Sequence, residues 1–236
     1  MSGAARPGLP RLVLAPAGQG HEGPPGAGPR QDVVLGGGSL DDPEVCALLG
    51  ALRARAGADA LRPDTGLLLY SLVRARRPHV VVDHGSFWPD TSIPLATAVR
   101  DNGVGETVCW TPGRRSALRA RTWLARAGLT PYARVVEHRD ALPAEVSGPV
   151  DLLVLRGRQE CWLAALELLE PLMRPGAQVV AAGQRALPGD YLHRVRASGH
   201  YLSFALSIGD GLEVSSRLAF PSRAAEPTRT DRGLSS

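Results

Sequence analysis

Asp83-His84-Gly85-Ser86 places a carboxylate, an imidazole, a glycine and a hydroxyl in four consecutive positions, directly after the apolar run Val80-Val81-Val82. A turn of this kind between a buried strand and a helix lets a ligand approach the backbone, because glycine has no side chain to block it. The rest of the loop, Phe87-Trp88-Pro89-Asp90-Thr91, is bulky where a phosphate cradle would be bare. With one glycine and no lysine, the loop fits neither a P-loop nor a pyrophosphate-binding turn. A plain strand-to-helix turn is the alternative reading. Histidine titrates near neutrality without help, so His84, His138 and His193 are candidate general bases, with His84 the best placed. Each also reads as a structural histidine, since no carboxylate partner can be assigned to it from sequence. Trp88 and Trp110 fall at strand ends, where they would line an apolar pocket or serve as packing.

All 27 basic residues are arginine. The absence of lysine excludes Schiff-base chemistry, a P-loop lysine and a lysine base.

The elements that must carry these residues alternate. A helix is predicted from about Asp41 to Arg55, with Asp41 or Asp42 as cap and Pro43 in the first turn, and another over Asp64–Arg76. Strand Val80–Asp83 follows, then helix Ile93–Arg100, strand Thr107–Trp110, helix Arg115–Ala127 and strand Arg134–Glu137. Strand Leu152–Leu155, helix Cys161–Leu172 and strand Gln178–Ala181 complete the run. Such alternation predicts an α/β fold, a parallel sheet covered on both faces. Beyond it, helix Tyr191–Arg196 precedes strands Tyr201–Leu206 and Leu212–Ser216 around Gly209-Asp210-Gly211, an antiparallel edge hairpin. Ligands of open α/β sheets bind beyond the carboxyl ends of the strands, which directs attention to 83–91, 110–113, 139–142 and 156–159.

Leu69-Tyr70-Ser71-Leu72-Val73-Arg74-Ala75, Val80 to Phe87 and Leu95 to Gly103 together resemble class I S-adenosylmethionine-dependent methyltransferases of the small-molecule O-methyltransferase group, the caffeoyl-CoA and catechol type. The likeness continues through Ala125-Arg126-Ala127-Gly128-Leu129, Asp140-Ala141-Leu142, Gly148 to Leu152, Leu168 to Ala177 and Gly209 to Glu213, covering about Pro63 to Arg217. It implies a Rossmann-like, mostly parallel seven-stranded sheet and S-adenosyl-L-methionine as cofactor. It further implies that Asp83, Gly85, Ser86 and Thr91 lie by the amino-acid half of that cofactor, and Asp140 and Ala141 by its adenine. For Asp140 an exposed loop carboxylate is an equal alternative.

The sequence departs from the family pattern at several of these positions. The acidic residue that accepts the ribose hydroxyls aligns with Thr111, and a neutral hydroxyl replaces only part of a charge-assisted contact. Pro89, with no N–H, stands where the loop glycine is expected. The metal-binding carboxylate positions read Arg156 and Ala182-Gly183, so no metal site is expected, and a lysine position reads Gln159. Two functions follow. One is a metal-independent methyltransferase acting on a small molecule, in which positioning supplies much of the rate. The other is a catalytically degenerate relative kept as a binding or regulatory module.

The net charge of +4 is spread along the chain, including Arg114, Arg115, Arg119, Arg121 and Arg126, which read as a solvated helix face. This argues against a nucleic-acid partner. No apolar run reaches the roughly 20 residues of a membrane span. Cys46, Cys109 and Cys161, odd in number and set among apolar residues, read as buried free thiols of a cytoplasmic protein. Residues 1–38, rich in Gly, Pro and Ala, and 221–236 read as disordered arms flanking one domain, 39–220. The family likeness suggests a homodimer.

Overall fold

In the computed structural model, residues 38–85, 87–183 and 187–220 are described; the expectations for the two arms and for Ser86 fall outside them. Helix α1 (Pro43–Ala56) is capped by Asp42, whose carboxylate accepts the Glu44 N–H at 2.9 Å, with Pro43 in its first turn. Helix α2 (Pro63–Arg76) also opens on proline and ends at Arg77, in the left-handed region. Then come β1 (Val80–His84), α3 (Ser92–Asn102), β2 (Glu106–Trp110), α4 (Arg114–Arg126) and β3 (Ala133–Val136). A short helix α5 (Leu142–Glu145) leads to β4 (Val150–Leu155), α6 (Trp162–Leu169), β5 (Met173–Ala182), α7 (Gly189–Ala197), β6 (Tyr201–Leu206) and β7 (Leu212–Arg217).

The strands form one seven-stranded sheet in the order β3-β2-β1-β4-β5-β7-β6. The first five are mutually parallel, and β7 runs antiparallel to both β5 and β6. Period-two alternation sorts the apolar side chains to two faces. Val81, Leu152, Val154 and Val180 pack with α1 to α4, while Val80, Val82, Leu153, Leu155 and Val179 pack with α5 to α7. Both faces are covered, as continuous apolar strands require. Among the described residues no helix is long and apolar enough to cross a membrane.

Three details differ from expectation. Strand β5 begins at Met173, ahead of Pro175-Gly176, and its pairing with β4 shifts register between Val150 and Leu152. The helix expected over Cys161–Leu172 is α6 with a 3-10 turn at each end, the second opened by Pro171. Of the cysteines only Cys109 is buried; Cys46 is exposed and Cys161 half-buried, because α1 turns Cys46 away from the sheet toward the Leu40 carbonyl.

Candidate functional site

Strand order reverses between β1 and β4, since β2 and β3 lie to one side of β1 and β4 and β5 to the other. Loops leaving two adjacent parallel strands in opposite directions open a crevice at their carboxyl ends. The loops start in close contact. Gly85 (φ 95°) follows β1 and donates its N–H to Trp110 O, while Arg156 N–H bonds His84 O. A Cβ on Gly85 would stand 2.3 Å from Arg156 O, and one on Gly157 (φ 78°) only 1.9 Å from Gly85 O. The glycine singled out by the sequence is thus demanded by the sheet itself, whatever else binds there.

Asp83 ends up inside the loop, 1% exposed. Thr91 Oγ1 donates to it at 2.8 and 2.9 Å and Ser92 Oγ at 2.5 Å, so the carboxylate ties the β1–α3 loop to the start of α3. Burial raises its pKa to about 6, against the lowering effect of those hydroxyls. His84 is fully buried, stacked on the Trp110 ring with centroids 4.4 Å apart. Burial, with the nearby Arg139 charge, lowers it to about 4. An imidazole held there is a weak proton acceptor at neutral pH.

Both ring nitrogens of His84, the Trp110 indole nitrogen and the Thr111 hydroxyl are sealed from solvent with no hydrogen-bond partner among the described residues. His84 and Trp110 face each other across β1 and β2, and Thr111 is next in sequence, so these polar atoms cluster beside the crevice. Buried polar atoms are rarely left unsatisfied, which makes a cluster of them at a reversal of strand order a candidate place for a ligand.

A pocket of about 340 Å³ opens on the β4 side of the crevice. Asp59 bounds it from the turn before α2, Phe87, Trp88 and Asp90 from the β1–α3 loop, Arg156 to Glu160 from the turn after β4, and Ala182 and Gly183 from the end of β5. Arg156 and Asp90, 66 residues apart, are both buried and meet at 3.4 Å. The Arg156 Nη2 also donates to Asp59 O, and Asp90 accepts the Leu61 N–H at 2.6 Å. Burial raises Asp90 despite the adjacent guanidinium. On the outer side Arg119 of α4 lies 4.1 Å from the Trp88 ring centre and bonds Phe87 O at 3.2 Å, so this arginine of the expected solvated face holds the loop instead.

The remaining predicted positions are scattered. Thr91 is buried on Asp83. Asp140 is 89% exposed on a 3-10 turn, paired with Arg139 at 3.6 Å, and Ala141 spends its N–H on His138 O. Neither lines the pocket. Asp59, Asp90 and Arg156 do, and no motif in the sequence singles out the first two.

No family model and no curated protein matches the chain. Solved structures do. A methyltransferase from Geobacter sulfurreducens superposes with a TM-score of 0.61 at 24% identity, covering 75% of this chain and 90% of that one. An O-methyltransferase from Bacillus cereus in complex with SAH gives 0.62 at 18%, over 75% and 94%. TomG, an O-methyltransferase from Streptomyces achromogenes involved in tomaymycin synthesis and solved with SAM, gives 0.62 at 21%, over 73% and 90%. The fold is that of the class I methyltransferases. In a methyltransferase fold the β1–α3 and β4–α6 loops are the expected place for ligands by the strand-order rule alone, and both the partnerless polar cluster and the pocket lie there.

Proposed function

We propose that the chain is an S-adenosyl-L-methionine-dependent O-methyltransferase acting on a small molecule without a metal. The observation that carries this reading is the pairing, at one reversal of strand order, of a partnerless polar cluster with an adjoining open pocket. The cluster fits the nucleoside side of the cofactor: the Thr111 hydroxyl can exchange a hydrogen bond with a ribose hydroxyl, and the half-buried Trp110 ring, backed by the buried His84, offers a flat surface. Asp83 shapes the loop through Thr91 and Ser92, and Gly85 and Ser86 would carry the backbone nearest the amino-acid half. Asp140 and Ala141 would close over the adenine. When bound, the cofactor supplies an electrophilic methyl group on a sulfonium. The chain's part is to exclude water from that group and to hold an acceptor in line with it. The guanidinium of Arg156 at the pocket wall opposes a divalent cation there, which is why no metal enters the reading.

Two features bear on a second reading, a binding module without methyl transfer. The carboxylate of Asp83 is already saturated by its own loop, and Thr111 offers a neutral hydroxyl rather than a charged acceptor. Calorimetric titration with S-adenosylmethionine and S-adenosylhomocysteine decides between the two. The enzyme reading expects one-to-one binding of both, weakened about three- to tenfold in Thr111→Val, the effect of one neutral hydrogen bond. Absence of binding by either ligand overturns it and leaves the module.

A further inference from the structure

A second cavity, of about 120 Å³, lies on the other side of Asp90, between α1, the start of α2 and the first turn of α3. Leu40, Leu49, Leu61, Pro63 and Pro94 make its wall apolar, and Cys46 and Arg53 join Asp90 as its polar members. Helical spacing puts the α1 residues there: Cys46, Leu49 and Arg53, three and four residues apart, form one stripe along the edge of the helix's buried face.

Gly66 stands within α2 on an ordinary helical backbone, where glycine costs stability relative to alanine. A Cβ at this position would meet Leu61 and Pro94 at 3.5 and 3.6 Å, ordinary contacts. Neither conformation nor packing demands the glycine, and its effect is to leave room in the cavity. Arg53 is half-buried in the last turn of α1, and among the described residues its guanidinium makes no hydrogen bond or ion pair. Burial pulls its pKa down, and the Asp90 charge restores only part of it. Asp90 is itself engaged, by Arg156 at 3.4 Å and by the Leu61 N–H at 2.6 Å, while Cys46 spends its S–H on Leu40 O at 3.1 Å. Two guanidiniums thus stand by one carboxylate, and the charge left over is that of Arg53.

Charge and size fix the form of the ligand. A cation is opposed by the excess positive charge, and a phosphate or sulfate would give up its hydration for an apolar wall and one arginine. A carboxylate needs two parallel donors, which a guanidinium with all its nitrogens free provides on either edge. Behind Arg53 the cavity has room for about four methylene-sized groups, at roughly 30 Å³ each.

We propose that this cavity is a second ligand site, which takes a short branched-chain carboxylic acid with its carboxylate on two parallel N–H groups of Arg53 and its alkyl body among Leu49, Leu61 and Pro94. The site lies outside the pocket beside β4 and needs no cofactor, so it goes beyond the methyltransferase reading and does not rest on it. Its occupant would sit against Asp90, the wall that the two cavities share.

Ligand-observed NMR on the full chain at neutral pH, with isovalerate as the probe, tests this. Isovalerate should bind with a Kd of about 1 mM or tighter. Isovaleramide, which keeps the body and loses the charge, and acetate, which keeps the charge and loses the body, should each bind at least about tenfold more weakly. Arg53→Gln should bring isovalerate down to the level of isovaleramide. Gly66→Ala should raise the thermal midpoint of the ligand-free chain by about 1–4 °C and weaken isovalerate at least about tenfold, a gain in stability with a loss of binding that damage to the fold would not produce. Should Arg53→Gln fail to fold, the three ligands on the unaltered chain and the Gly66→Ala variant still decide. No binding of isovalerate at about 10 mM, equal binding of isovaleramide or acetate, or binding kept in both variants overturns the proposal.

Discussion

Asp83 and His84 are neighbours in sequence, both buried, and burial drives each toward its neutral form, one upward in pKa and the other downward. The consequences for stability have opposite sign. Asp83, raised from 3.8 to about 6, keeps its proton in the folded chain where the unfolded chain has lost it, so stability falls as pH rises through that window. His84, lowered from 6.5 to about 4, stays unprotonated where the unfolded chain takes up a proton, so stability is lost as pH falls from 6.5 toward 4. At full extent each contribution is about 3 kcal/mol, at 1.36 kcal/mol per pK unit. Side by side they largely cancel between pH 4 and 6. Asp83→Asn should unmask the histidine and make the protein weaken steeply toward pH 4, relative to the unaltered chain. His84→Asn should unmask the aspartate and do the reverse. Urea unfolding at pH 4, 5 and 6.5 reads both slopes, and parallel curves for all three proteins would show that neither group titrates as its burial requires. The motif was visible in sequence. That Asp83 faces inward was not, because its place is fixed by hydroxyls eight and nine residues away.

The elements that position the site were legible for a plain reason. Each parallel strand is a short apolar run and each helix has an amphipathic period with proline or aspartate at its start, so local preference and burial agree. Legibility failed where the two disagree. Pro175-Gly176 reads as a break, yet β5 runs through it because its early residues lie at the margin of the sheet, where Pro175 gives up no buried ladder bond. The Asp90–Arg156 pair lay beyond reach for another reason. It joins the loop after β1 to the end of β4, and only the strand order makes those two ends neighbours. The same adjacency fixes the cost of substitution at its glycines. Gly157→Ala would drive a Cβ to 1.9 Å from Gly85 O at φ 78°, whereas Gly113→Ala, at φ 80°, meets open space. Backbone strain alone costs about 1–2 kcal/mol, and the clash should bring Gly157→Ala to at least about 3 kcal/mol. Equal shifts in urea midpoint for the two variants would mean the β1 and β4 loops separate more easily than their packing implies.

At the scale of the whole molecule, one sheet carries two separate cores, α1 to α4 packing on one face and α5 to α7 on the other. The crevice lies where β1 and β4, strands buried by both cores, end together. A ligand seated there bonds to loops that leave the centre of the sheet, so dissociation and unfolding must be linked: the folded chain binds it and the unfolded chain cannot. The stabilisation equals RT ln(1 + [L]/Kd), about 2.7 kcal/mol when ligand is present at one hundred times Kd. For a domain of this size each kcal/mol moves the midpoint by about 2–4 °C, so saturating S-adenosylhomocysteine should raise the thermal midpoint by roughly 5–10 °C. Thr111→Val should need several-fold more ligand to reach the same shift, since it removes a bond to the ligand and leaves the two cores untouched. Free homocysteine, lacking the nucleoside that the Thr111 and Trp110 side of the crevice is proposed to hold, should give no measurable shift. An equal response to homocysteine and to the full ligand would place recognition in the pocket beside Arg156 alone and take the partnerless cluster out of the binding site.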